Sequence, residues 1–167
     1  MKADDRPHVS LEPMTESDVE EAVELISVAM NPDEARWARQ SMTFYFACKK
    51  HGIDSGRQYY VWRDEGRICG LIGLHRYVWG PERNVWLSWF AVHPERQGGG
   101  AGSALMKAVK KRATQAGYKQ LLVETYDSLT FEKARSFYRA RGFVQTGRIE
   151  NYLPDGSAMI VFAIQLR

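Results

Sequence analysis

Apolar residues recur along the chain with two different periods, and the switches between them divide it into elements. Val19, Ala22, Val23, Ile26 and Ala29 fall at helical spacing, which predicts an amphipathic helix over 16–30. Thr15-Glu16-Ser17-Asp18 at its start resembles a capping box, with Asp in the place of the usual Glu or Gln. Asn31-Pro32-Asp33-Glu34 restarts a helix. Asn caps it, Pro suits the first helical position, and the acids sit at the positive end. That helix runs to about residue 51, with Gly52 beyond it.

The period then shortens to two. Residues 58–63 read as a strand, Asp64-Glu65-Gly66-Arg67 as a hairpin turn and 68–77 as the returning strand. Gly80-Pro81-Glu82 turns the chain again, and 85–92 is a long apolar strand. After a glycine-rich loop, Leu105, Met106, Ala108, Val109 and Ala113 mark a helix over 103–116. A strand follows at 120–126, and a short helix at 131–141 is ended by Gly142. Two closing strands at 143–149 and 158–166 are joined through residues 152–156. Val9-Ser10-Leu11 reads as a first short strand closed by Pro13. The resulting order, β-α-α-β-β-β-α-β-α-β-β, predicts an α/β fold with a mixed sheet and helices on both faces.

Composition narrows the partners more than the fold. The 167 residues suit one domain, read here as 1–167 with 1–8 as a tail. No run of about 18 apolar residues occurs, so no membrane span is expected. Residues 1–10 lack the apolar stretch of a signal peptide. Neither Cys48 nor Cys69 sits in a CxxC, which argues against a disulfide scaffold or a zinc site and makes a reducing cytoplasm the expected compartment. His8, His51, His75 and His93 show no ligand spacing, so no metal is expected. The net charge of +3 is too small for a nucleic-acid footprint, but it suits a partner carrying a few phosphates.

The strongest chemical signal is the loop after the strand at 85–92. His93-Pro94-Glu95-Arg96-Gln97-Gly98-Gly99-Gly100-Ala101-Gly102 opens directly onto a helix. Small residues let backbone N–H groups converge as an anion nest, and the helix dipole adds to it, so phosphate is the natural guest. A P-loop would need a lysine before Ser103, and none is there. A Rossmann loop, with Glu124 as its later acid, would follow the first strand of the fold rather than a later one.

Gln97-Gly98-Gly99-Gly100-Ala101-Gly102 resembles the Q/R-x-x-G-x-G/A acetyl-CoA loop of the GNAT superfamily of acyl-CoA-dependent N-acetyltransferases. Ala134-Arg135-Ser136-Phe137-Tyr138-Arg139-Ala140-Arg141-Gly142-Phe143 is similar to that family's A-x-x-F-Y-x-x-x-G-F segment. The two lie in the family's order, with a helix and a strand between them. Phe90-Ala91-Val92-His93-Pro94-Glu95 is also like the family's approach to the loop.

The resemblance implies a mainly antiparallel sheet of about seven strands, splayed where acetyl-CoA enters as cosubstrate. It implies that the backbone of Phe90, Ala91 and Val92 holds the pantetheine arm, and that the N–H groups of Gln97, Gly98, Gly99, Gly100, Ala101, Gly102 and Ser103 cradle the pyrophosphate. Arg96 would add charge near the phosphates, or serve only as a solvated loop cation. Tyr138 would protonate the leaving thiolate; its other reading is packing. Relatives often place a carboxylate on the strand before the glycine loop, where this chain has Trp86-Leu87-Ser88-Trp89. Glu124 is the next candidate base, with Asp127 and a water relay open beside it.

The acceptor would be a small-molecule or peptide amine. Arg36-Trp37, Phe44-Tyr45-Phe46 and Asn151-Tyr152 would lie near its mouth, in a region to which Trp79, Trp86 and Trp89 add aromatic rings. Ser128 or Thr130 would supply outer cofactor contacts where relatives carry an Asn that is Phe131 here. The resemblance also admits a homodimer, which no residue here marks. Two rival classes remain: an acyl-CoA-binding module without catalysis, and a dinucleotide-binding oxidoreductase.

Overall fold

The computed structural model describes residues 8–167, and the expected tail lies almost wholly outside them. Seven strands form one sheet in the order β1-β2-β3-β4-β5-β7-β6. They are β1 (Glu12–Pro13), β2 (Arg57–Asp64), β3 (Arg67–His75), β4 (Asn84–Val92), β5 (Gln120–Tyr126), β6 (Val144–Ile149) and β7 (Met159–Gln165). Every neighbouring pair is antiparallel except β4 and β5. Four helices cover the sheet: α1 (Val19–Ala29), α2 (Pro32–Lys50), α3 (Ala101–Gln115) and α4 (Glu132–Ala140).

The alternation along each strand sends successive side chains to opposite faces and so builds two cores. On one face α1 and α2 bury Ile26, Ala38 and Met42 against Tyr59, Val61 and Leu71. On the other, Leu105, Val109 and Tyr138 from α3 and α4 pack on Ile72, Leu121, Val123 and Phe162. The α1 start follows the capping expectation in part: Thr15 N–H donates to the Asp18 carboxylate at 2.8 Å. The second oxygen of Asp18 accepts from Arg63 of β2 at 2.6 Å, which fixes the helix to the sheet. Asn31 caps α2 by accepting from the Glu34 N–H at 2.9 Å.

One expectation is displaced. The first strand is Glu12–Pro13, not residues 9–11, and it pairs with Val61 and Tyr60. An edge strand tolerates the missing proline N–H, while Leu11 turns into the core instead. The returning strand likewise stops at His75, because Tyr77 already belongs to a turn closed by Gly80 N–H.

The parallel pair sets up everything that follows. β4 and β5 are joined only at Asn84↔Gln120, Val85↔Leu121 and Trp86↔Leu122, and beyond these they part. A bulge in β4 helps to turn it away: Phe90 faces Ile72 and Ser88 faces Gly73, leaving Trp89 as the extra residue at φ +42°. Gly73 makes the bulge possible, since a Cβ there would stand 2.6 Å from the Ser88 carbonyl oxygen. Trp89 is held in this conformation by its Nε1–H, which donates to Ser41 Oγ on α2 at 2.7 Å.

Candidate functional site

The parted strands open a cleft of about 1090 Å³ that runs from one face of the sheet to the other. Val123 points to the α3/α4 core, so its neighbour Glu124 points to the α1/α2 face. Tyr138 stands on α4 and Glu124 on the opposite face, yet both line the same space. A slot between the strands therefore lets two molecules meet after entering from opposite sides.

On the α3/α4 side the wall is the glycine loop. Gly100 caps α3 with φ +88°, and no side chain caps the helix. Among the described residues no acceptor is paired with the N–H groups of Gly98 to Ser103. No atom lies within 4 Å of where a Cβ would sit on Gly98, Gly99 or Gly100. Gln97 fastens the loop to the strand end, its Nε2–H donating to the Val92 carbonyl at 2.9 Å. These free donors at a helix start form an anion cradle. Gln97, Gly98, Gly100, Gly102 and Ser103 line the cleft together with Phe90, Ala91 and Val92; Gly99 and Ala101 shape the turn without facing it.

Arg96 is placed otherwise than as a phosphate ligand. Its guanidinium pairs with Asp64 at 2.6 Å and does not line the cleft. The cation that does face the loop is Arg141, which the sequence reading passed over. It lies 3.5 Å over the Phe137 ring, donates to Ser103 Oγ and to the Phe137 carbonyl, and keeps a buried Nε–H without a partner. Tyr138 is buried among Phe137, Phe143 and Phe162. Burial holds its phenol above the ordinary value, so it keeps its proton at neutral pH.

On the α2 side the cleft is lined by Glu34 and Trp37 from α2, by Arg57, His75 and Trp86 from the sheet, and by Glu124 and Tyr126 from β5. Burial raises the Glu124 carboxyl. Glu34 is pushed up to about 7, by burial first and then by the charges of Glu124 and Asp33. The asymmetry is that of two acids sharing a site. Glu124 ionises against a neutral neighbour, and Glu34, ionising second, meets its charge. Sequence reading also missed Glu34, although it carried a signal. Glu34, Ala38, Met42 and Phe46 recur every four residues, which puts an acid on the apolar stripe of α2.

Glu34 makes stability depend on pH in a stated direction. The ordinary value is 4.5 and the folded one is about 7. The folded state thus binds more protons between them, so this stabilisation is full below the lower value and lost as pH rises through the upper one. Glu34→Gln is expected to remove that loss. In thermal unfolding it should gain on the parent by on the order of 3 kcal/mol at about pH 8 and by little at about pH 4.

Other expected residues are committed elsewhere. Asp127 pairs with Arg148 at 2.6 Å and accepts from the Ala158 N–H, so it is not a free base. Arg36 pairs with Asp33, Phe44 is exposed, and Trp79 stands in solvent outside the cleft. Tyr45 and Phe46 pack on the α1/α2 core, while Tyr152 reaches the cleft and stacks on Tyr126 with centroids 6.1 Å apart. Thr130 and Phe131 line the cleft; the Ser128 carbonyl instead accepts from Arg135 at 2.8 Å. Among the described residues no cluster of three potential metal ligands occurs, and no helix is long and apolar enough to cross a membrane.

Comparison with known proteins agrees with this arrangement. A model of the acetyltransferase (GNAT) family matches residues 18–143. No curated protein is significantly similar in sequence. Among solved structures, a GNAT-family protein from Desulfovibrio desulfuricans superimposes with a TM-score of 0.83 at 19% identity, over 95% of this chain and 99% of that one. A GNAT-family acetyltransferase from Elizabethkingia anophelis with acetyl-CoA bound gives 0.71 at 20%, over 96% and 100%. An N-acetyltransferase from Staphylococcus aureus gives 0.74 at 16%, over 96% and 100%. At these identities the likeness is one of fold.

Proposed function

The chain belongs to the acetyltransferase (GNAT) family, and from that premise we propose that residues 1–167 act as one cytoplasmic N-acetyltransferase domain that moves the acetyl group of acetyl-CoA to a primary amine by direct attack. The observation that carries this reading is the slot between β4 and β5, open to an anion cradle on one face and to paired acids on the other.

In this reading the free N–H groups of residues 98–103 take the pyrophosphate, with the Arg141 guanidinium beside them. The parted edge of β4 at Phe90, Ala91 and Val92 faces the pantetheine arm, and its backbone groups other than the Val92 carbonyl, which Gln97 occupies, are the ones available to hold it. The thioester then sits in the slot. An alkylamine is protonated near neutrality and must lose a proton to attack. A carboxylate raised by burial is a better base than one in water, so Glu124 takes that proton, directly or through a water. The nitrogen lone pair forms the new C–N bond, the tetrahedral adduct collapses, and the C–S bond breaks. The departing sulfur takes the proton of Tyr138, whose phenol burial keeps intact.

Initial-rate kinetics test the direct attack. With acetyl-CoA and an accepted amine both varied, double-reciprocal lines should intersect; parallel lines would mean that the acetyl group first passes to the protein. Gly100→Ala probes the cradle. Its φ of +88° makes the substitution cost about 1–2 kcal/mol, although nothing blocks the added methyl. The variant should fold with a lowered melting temperature, and CoA should stabilise it less than it does the parent.

A further inference from the structure

We propose that Arg57 forms an anion-binding subsite at the acceptor end of the cleft, so that the amine accepted there also carries a carboxylate and has an apolar body. This rests on the transfer reading above and names the substrate class for it.

The register places the residue. Arg57 opens β2 opposite His75 of β3, His75 faces Trp86 of β4, and Trp86 pairs with Leu122 of β5. Directly opposed residues point to the same side of a sheet, and Arg57, His75 and Trp86 all line the cleft. The other half-buried arginines all have an acceptor: Arg63 has Asp18 and Arg76 has Asp54, while Arg112, Arg135 and Arg141 donate to backbone carbonyls and, for Arg141, to Ser103 as well. Arg57 has no ion-pair partner among the described residues, and its Nε–H is buried with no acceptor. A guanidinium partly stripped of water and left without a partner costs stability, and a carboxylate fork fits its planar donors in pairs.

Nothing beside it competes for that role. His75 is driven down to about 4 by burial and by the positive charge of Arg57, so it is neutral near pH 7 and adds no counter-ion. The acids lie at the other end. Arg57 and Leu122 are three strand spacings apart, about 14 Å between backbones, and Glu124 is one pleat repeat farther on. Less the reach of two long side chains, that span suits one small molecule touching both ends. Trp86 and Trp37 wall the space around it. A cation at one end, acids at the other and indoles around them match an amino-acid-like zwitterion better than a polyamine, which would bring further positive charge to Arg57.

The test uses matched sets built on apolar and aromatic α-amino acids: the free acid, its carboxamide and the decarboxylated amine. Each is offered with acetyl-CoA to the full chain, and CoA release is read as free thiol. The free acid should be preferred over its carboxamide by about 10- to 100-fold in kcat/KM in at least one set. Arg57→Met should bring that ratio towards one, and Arg57→Lys should restore part of it. Two results overturn the subsite: a ratio that stays the same in Arg57→Met, or a parent enzyme that accepts no free acid better than its carboxamide. If no free acid reacts, the subsite fails, while stabilisation by CoA and turnover of other amines decide separately whether the transfer reading stands.

Discussion

Tyr138→Phe is expected to lower kcat by about 10²- to 10⁴-fold, the ordinary contribution of a placed proton donor, while the Kd for CoA stays where it was. The ring is packed against Phe137, Phe143 and Phe162, and phenylalanine keeps those contacts. Only the hydroxyl is lost, and with it, in the proposed mechanism, the proton for the departing thiolate. Because burial holds this phenol above its ordinary value, the variant should differ from the parent in height of the pH profile and not in its shape near neutrality. A variant that turns over at the parent rate would make Tyr138 a packing residue. CoA affinity, read by titration, separates loss of chemistry from loss of binding.

Glu124→Gln should cost a similar factor in kcat/KM, and here the pH profile carries the distinction. Glu124 works as a base only when ionised, and burial raises it, so the parent's activity should climb with pH along a limb displaced upward from the usual carboxylate range. A second inflection at about 7 belongs to Glu34. Glu34→Gln imitates the protonated partner, so it should keep the first limb and erase the second. Glu124→Gln should lose the first limb along with most of the rate. If instead Glu34→Gln loses the rate and Glu124→Gln keeps it, the two acids exchange roles. Full activity in both variants would leave deprotonation to water alone.

How much of this the sequence showed follows from how local each cause is. The glycine loop was legible because its chemistry is backbone chemistry: the same local run of small residues sets the turn and leaves the N–H groups free. The helix α2 was legible at both ends, through the Asn31 cap and Gly52 beyond His51. Arg96 stayed open between a phosphate contact and a loop cation because its partner, Asp64, lies 32 residues away and only the fold brings them together. The alignment of Arg57, His75 and Trp86 depends on strand register across two strand pairs, each with a register shift, and no local pattern encodes it. Glu34 lies between these cases. The four-residue stripe was visible in the sequence, but Glu34 read as an N-terminal helix charge. Its approach to Glu124 exists only once α2 is laid over the parted strands.

The most direct test of the central claim is CoA release from acetyl-CoA, read as free thiol against a panel of amines, with CoA-dependent thermal shift measured in parallel. Release that depends on the amine, with the acetyl group found on its nitrogen, is the expected result. CoA at about a hundred times its Kd should also raise stability by roughly 2.7 kcal/mol, and NAD should not. Stabilisation by CoA without release to any amine would contradict the transferase assignment and favour a binding module. No stabilisation by CoA would contradict the slot between β4 and β5 as its site.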